Sequence, residues 1–146
     1  LQHPVLRRLE ARRAAELIAE RGILRGRHGR EHIPRLHQLL LNLIGNACWA
    51  LSHERVGDRV LIVRTQLTAS RGVPITVSDS GPGIPHDHLP RIFDPFFTTR
   101  PDGIGLGLTV CRTIVDAHRG RLWAENNADG GASFHVVLPL PEPGPS

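Results

Sequence analysis

Asp79-Ser80-Gly81-Pro82-Gly83, then Phe93-Asp94-Pro95-Phe96-Phe97-Thr98-Thr99-Arg100, then Gly103-Ile104-Gly105-Leu106-Gly107-Leu108 form the stretch on which the fold turns. A carboxylate beside two glycines precedes a Phe-rich segment and a triplet of alternating glycines. Glycine at this density lets a backbone approach a ligand and adopt dihedrals closed to other residues. The order suggests a nucleotide pocket, with Asp79 at the end of a strand reading the base and the triplet opening a helix toward phosphates.

Working outward, residues 59–68 and 73–78 read as strands joined by a hairpin-like turn at 69–72. Residues 121–125 and 132–138 read as two more, around the turn Ala128-Asp129-Gly130-Gly131. Helices are expected over 5–21, from Pro34 in a first turn to about Ser52, and over 105–118 with Arg119-Gly120 closing the last. A short helix at 87–92 and a short edge strand at Ile23-Leu24 complete the reading. Helices alternating with hairpin-linked strands predict an α/β (α+β) fold, a two-layer sandwich built on a mixed sheet.

A chain of 146 residues suits one domain with a real core. Its cations are all Arg and scatter along the chain, and aromatic content is only 4%, so no stacking platform for nucleic acid is visible. Cys48 and Cys111 lie far apart without metal-ligand spacing, which predicts a reducing, cytoplasmic setting with free thiols. No apolar run approaches the roughly 20 residues that span a bilayer, so no direct membrane contact is expected. The absence of Met, even as an initiator, suggests a fragment or a trimmed chain.

Several residues carry candidate chemistry. The glycine triplet alone admits two readings: a flexible turn with close helix packing, or a helix N-terminus offering free N–H groups to phosphate. It lacks the Gly-x-Gly-x-x-Gly spacing, and with no Lys in the chain it cannot be a P-loop. Asp79 is either a turn-forming residue or a pocket carboxylate. As a pure acceptor it suits the exocyclic amine of adenine and repels the carbonyl of guanine, favouring ATP over GTP. Gln38, Asn42 and Asn46 repeat at four-residue intervals and share one helix side. Asn42 and Asn46 are either polar residues of a half-exposed face or amide ligands for Mg2+. Phe93, Phe96 and Phe97 are core residues or the pins of a flap ending at Gly103. Thr98, Thr99 and Arg100 at its tip suit phosphate. None of the histidines forms a metal-ligand set.

Taken together, these segments resemble the ATP-binding catalytic domain of sensor histidine kinases, within the gyrase, chaperone, kinase and mismatch-repair (GHKL) ATPase superfamily. Leu41-Asn42-Leu43-Ile44-Gly45-Asn46-Ala47 is similar to the N box and Val77–Pro85 to the first glycine box. Arg91–Arg100 resembles the F box, and Gly103–Leu108 the second glycine box; Gly130–Phe134 with Leu138-Pro139 resembles the closing strand. The resemblance implies a Bergerat-type sheet with helices on one face. It implies that Asp79 binds the adenine amine, with Gly81, Gly83 and Ile84 shaping the floor. Asn46 would ligate Mg2+ with Asn42 assisting, and these two with Arg100 would carry the catalytic roles. Phe96 and Phe97 would anchor an ATP lid bearing Thr98 and Thr99. Gly103, Gly105, Leu106, Gly107 and Leu108 would meet the phosphates.

The short lid most resembles the nitrogen-regulation and oxygen-sensing branch. Arg100 stands where the family usually has Lys, and Trp49 where many members have a basic residue. The implied layout is a connecting helix at 1–21, an ATP-binding domain at 22–140 and a disordered tail at 141–146. The phospho-acceptor His of such kinases lies in a separate helical dimerisation domain, in a context that neither His3-Pro4 nor Glu31-His32-Ile33-Pro34 matches. The implied partners are ATP and ADP, that dimerisation domain and a response-regulator receiver domain, with no nucleic acid. The implied location is cytoplasmic, as a soluble protein or as the cytoplasmic part of a membrane-bound sensor. Two alternatives stand beside the kinase: a GHKL-type hydrolase clamp, and a non-catalytic nucleotide-binding regulatory module. The clamp enzymes place a Glu base one turn before the metal-binding Asn, and Asn42 occupies that position.

Overall fold

Alternation of side chains decides which face of each strand is buried. In β2 (Gly72–Asp79), Val73, Ile75, Val77 and Asp79 point inward. In β4 (Ala132–Pro139), Phe134, Val136 and Leu138 do the same. β1 (Leu61–Thr65) and β3 (Arg121–Asn126) flank them, giving the order β1-β2-β4-β3. The computed structural model describes residues 29–52, 59–65, 72–98, 105 and 107–139.

Helix α1 (Gly29–Ser52) lays Leu36, Leu39, Leu40, Leu43, Ile44, Ala47 and Leu51 on the inner face of the sheet. Their spacing of three and four makes one continuous stripe. Helix α2 (Gly107–Ala117) adds Cys111, Ile114 and Val115, and packs against both α1 and β3. The resulting core joins both helices to the central strands β2 and β4. Each fully buried aliphatic side chain contributes about 1.5–3 kcal/mol. α2 closes through Arg119, at φ 55°, and Gly120, whose N–H donates to the Val115 carbonyl at 2.9 Å.

The outer face of the sheet is polar and partly aromatic. Arg64, Thr76, His135 and Trp123 lie in one row across all four strands. Thr76 Oγ1 meets His135 Nδ1 at 3.2 Å, and Trp123 stacks on the His135 ring at 5.1 Å.

The two-layer sandwich matches the expectation, with three corrections. Every described strand pairing is antiparallel, where a mixed sheet was expected. Register between β2 and β4 is set by tertiary pairing across more than fifty residues, which local alternation does not encode. α1 starts at Gly29, so Pro34 lies inside the helix rather than in its first turn. Near the helix start its missing N–H removes a single i→i−4 bond. A 3-10 turn at Leu89–Arg91 replaces the short helix expected over 87–92. The expected helix at 5–21, the edge strand at 23–24 and the tail at 141–146 lie outside the described residues.

Core and edge positions should respond differently to truncation. Leu40 has no exposed surface and Val63 on β1 is 39% exposed. Leu40→Ala is expected to cost about 2–5 kcal/mol, and Val63→Ala about 0.5 kcal/mol, measured by urea denaturation.

Candidate active site

Asp79 ends β2 pointing into the interior, only 5% exposed. Its Oδ1 accepts the N–H of Gly81 at 2.9 Å and that of Ala132 at 3.4 Å. Burial raises its pKa above the ordinary carboxylate value, and the two N–H donors oppose that rise in part. The β3–β4 turn holds its backbone. Asn127 Nδ2 donates to the Asp79 carbonyl at 3.3 Å, and Asn127 Oδ1 accepts from the Ser133 hydroxyl at 2.6 Å. Gly131, at φ +82°, sits so close that a Cβ there would strike the Asp79 carbonyl. Only glycine meets both constraints.

The loop after Asp79 is fixed by Asn126 at the end of β3. Its Oδ1 accepts the Ile84 N–H at 2.7 Å, and its Nδ2 donates to the Ile84 carbonyl at 2.8 Å. One side chain thus satisfies both backbone groups of Ile84, as a neighbouring strand would. Neither Asn126 nor Asn127 was anticipated from the sequence. Two consecutive amides at a strand end were the available clue, but Ile84 and Asp79, which they hold, lie more than forty residues away.

α1 forms the opposite wall. Asn42 Oδ1 accepts from Gln38 Nε2 at 2.8 Å, and Asn42 Nδ2 donates to the Gly107 carbonyl at 3.1 Å. The amide expected to assist a metal is therefore also a bridge between α1 and the first residue of α2. Asn46, one turn on, lines the same cavity. Near the end of the helix Ala50 packs on Gly81, where a Cβ would lie 3.4 Å from the alanine.

Between these walls lies a cavity of about 500 Å³. Of the residues expected to form the site, Asn42, Asn46, Gly83, Ile84, Phe97, Thr98, Gly105, Gly107 and Leu108 line it. Asp79 and Gly81 sit behind its wall at the Ala50 end. Trp49, Pro85, His88 and Phe134 also line it, and were not anticipated. Thr99, Arg100, Gly103 and Leu106 lie outside the described residues.

The two lid phenylalanines differ. Phe97 takes the edge of His88 at 5.2 Å and the Arg91 guanidinium over its ring at 4.9 Å. Phe96 is 71% exposed, and holds its place through its backbone. At φ 67°, its N–H donates to the Gly105 carbonyl at 2.9 Å. Gly105, itself at φ +78°, would clash with Phe96 if it carried a Cβ. Phe93, read from the sequence as core or flap pin, packs against the core, edge-on to Phe134 at 6.2 Å and covered by Arg112 at 4.8 Å.

Among the described residues no three His, Cys, Asp or Glu side chains converge to hold a metal. Burial pushes the Cys111 thiol up to about 12, leaving it protonated and without nucleophilic character. Among the described residues no helix is long and apolar enough to cross a membrane.

Comparison with known proteins agrees with this geometry. Residues 31–142 match the family described as histidine kinase-, DNA gyrase B-, and HSP90-like ATPase. The chain is 42% identical over 105 residues to sensor protein FixL of Bradyrhizobium diazoefficiens, covering 72% of this chain and 20% of that one. It therefore spans about a fifth of that relative's length. The catalytic domain of histidine kinase ThkA, in a nucleotide-free form, superposes with a TM-score of 0.66 at 29% identity, covering 90% of this chain and 91% of that one. Full-length ShkA in complex with AMPPNP gives a TM-score of 0.65 at 26% identity, covering 90% of this chain and 29% of that one. With an antiparallel sheet under two helices, a cavity walled by the N-box helix and both glycine boxes, and a family match over most of its length, the chain belongs to the histidine kinase-, DNA gyrase B- and HSP90-like ATPases, as an ATP-binding domain.

Proposed function

We propose that this domain binds ATP with Mg2+ and donates the γ-phosphate to a histidine on a separate helical dimerisation domain, as the catalytic half of a cytoplasmic two-component sensor kinase. A response-regulator receiver domain would then accept the phosphate. The observation that carries this reading is the single cavity shared by Asn46, Gly83, Phe97 and Gly107, four segments distant in sequence. The sensor kinase FixL and the AMPPNP complex of ShkA support it from relatives. The proposed layout keeps residues 1–21 as the connecting helix, 22–140 as this domain and 141–146 as a tail.

The roles proposed for its residues are these. Asp79 accepts the adenine amine, with its own backbone held by Asn127 and its loop by Asn126. The start of α2 offers unpaired N–H groups to the phosphates, pinned to α1 by the Asn42–Gly107 bond. Thr98, Thr99 and Arg100 on the lid would neutralise developing charge, since phosphoryl transfer is mostly positioning and charge compensation. Mg2+ takes oxygen ligands and keeps waters, so the amides of Asn42 and Asn46 on one wall suit an ion shared with phosphate oxygens. Asn46 would be its protein ligand, with Asn42 Oδ1 already accepting from Gln38. When bound, the ion would supply positive charge to offset that of the phosphate oxygens. Hydrolysis is the weaker reading, because an amide at position 42 cannot take a proton from water.

Transfer is tested by mixing the chain with labelled ATP and its own dimerisation domain. Acid-labile, base-stable label on that domain is expected; phosphate release without any label would favour the hydrolase. In calorimetry, Asn46→Ala is expected to abolish the gain in ATP affinity that Mg2+ provides; an unchanged gain would remove the metal role.

Asp79→Asn separates binding from stability. Loss of a charge-assisted hydrogen bond of about 1.5–3 kcal/mol should weaken ATP and ADP at least tenfold and erase the preference over GTP. Because burial raises the folded-state pKa above the unfolded value near 3.8, protonated Asp79 favours the fold. That contribution is complete below the unfolded pKa and is lost as pH rises through the folded one. The Asn variant escapes this loss, so at pH 7 it should be at least as stable as the wild type. Its advantage should shrink on acidification, as read by urea denaturation at each pH.

A further inference from the structure

We propose that Trp49 is the aromatic wall of the nucleoside end of the site, stacking on the base or its sugar; this rests on the nucleotide reading above. Two contacts orient the cavity along α1. At one end Asn42 reaches the Gly107 carbonyl at the start of α2, the phosphate side. At the other, Ala50 packs against Gly81, behind which lies the Asp79 carboxylate. Trp49 follows Asn42 by seven residues, about 10 Å along the helix axis. It lines the same cavity, next in the chain to Ala50 and so toward the Gly81 end.

Two other rings of the cavity have contacts of their own. Phe134 is buried to 2% and meets Phe93 edge-on. Phe97 is held between Arg91 and the edge of His88. Trp49 is half-buried, and its turn of helix is tied off by the Ser52 hydroxyl donating to the Trp49 carbonyl at 2.6 Å. An indole there offers a π-face that any base can use, so it adds affinity while Asp79 supplies selectivity. An uncharged contact at this position also makes that share of affinity independent of phosphate number and salt.

The chain has two tryptophans, and Trp123 lies on the outer face of the sheet against His135, so the two can be told apart. ADP is titrated calorimetrically into the wild type, Trp49→Ala and Trp49→Phe, with circular dichroism confirming each fold. Trp49→Ala is expected to bind ADP about tenfold more weakly, the scale of base–aromatic stacking. Trp49→Phe keeps an aromatic face and should stay within about threefold of the wild type. In Trp123→Phe, whose remaining indole is Trp49, ADP should change the emission and tripolyphosphate should not. Equal ADP affinity for Trp49→Ala and wild type overturns the proposal, as does Trp49→Phe binding as weakly as Trp49→Ala. An emission indifferent to ADP, or moved equally by tripolyphosphate, also overturns it, and decides the matter if Trp49→Ala does not fold. Failure of the wild type to bind ADP at all would instead sink the nucleotide reading itself.

Discussion

The structure depends on keeping one carboxylate inside the protein at the end of a central strand. Asp79 is almost fully buried, and burial alone would drive it toward the neutral form. Two backbone N–H groups, from Gly81 and Ala132, restrain that shift. Both donors reach it only because the chain comes unusually close on each side. Gly81 sits against Ala50 of α1, and Gly131 brings the start of β4 against the Asp79 carbonyl. The carboxylate is thus supported by the helix layer on one side and the β3–β4 hairpin on the other.

The same economy governs the phosphate side. Asn42 joins Gln38 to Gly107, so one amide couples the middle of α1 to the beginning of α2. The N-terminus of α2 is held at the cavity, which Gly107 and Leu108 line. The lid leaves and returns at adjacent points, because the Phe96 N–H bonds the Gly105 carbonyl. That tie requires left-handed backbone at both residues, a conformation costly for Phe96 and natural for Gly105. Strain at a non-glycine hinge persists only when its surroundings hold it. Phe97, clasped by Arg91 and His88, supplies that hold next door.

Much of this was legible in sequence because it is local. The alternation in β2 and β4, the leucine stripe of α1 and the four-residue spacing of its amides are properties of single elements. The glycine-rich stretch and the Asn pair could be brought to one cavity by resemblance alone, since nothing in their separate spacing joins them. What escaped reading depends on distant approach. Asn126 brackets Ile84 across 42 residues, and Asn127 reaches Asp79 across 48. Antiparallel register between β2 and β4, and the division of labour between Phe96 and Phe97, arise from the same kind of long-range packing. Pro34 misled for a different reason: a first-turn preference is statistical, while a long apolar stripe can extend a helix past it.

The two walls of the cavity therefore have different origins and different tolerances. The α1 wall is continuous helix, anchored by fully buried leucines on its other face. The opposite wall is irregular chain, held by side-chain amides and by glycines whose neighbours leave no room for a Cβ. Substitution there alters shape before it alters chemistry. Variation in what the site recognises should accordingly accumulate along α1, at positions such as Trp49, while the Asp79–Ile84 loop and the hairpin behind it stay as they are. A helix supplies the adjustable surface, and the glycine loops supply the fixed frame against which it is adjusted.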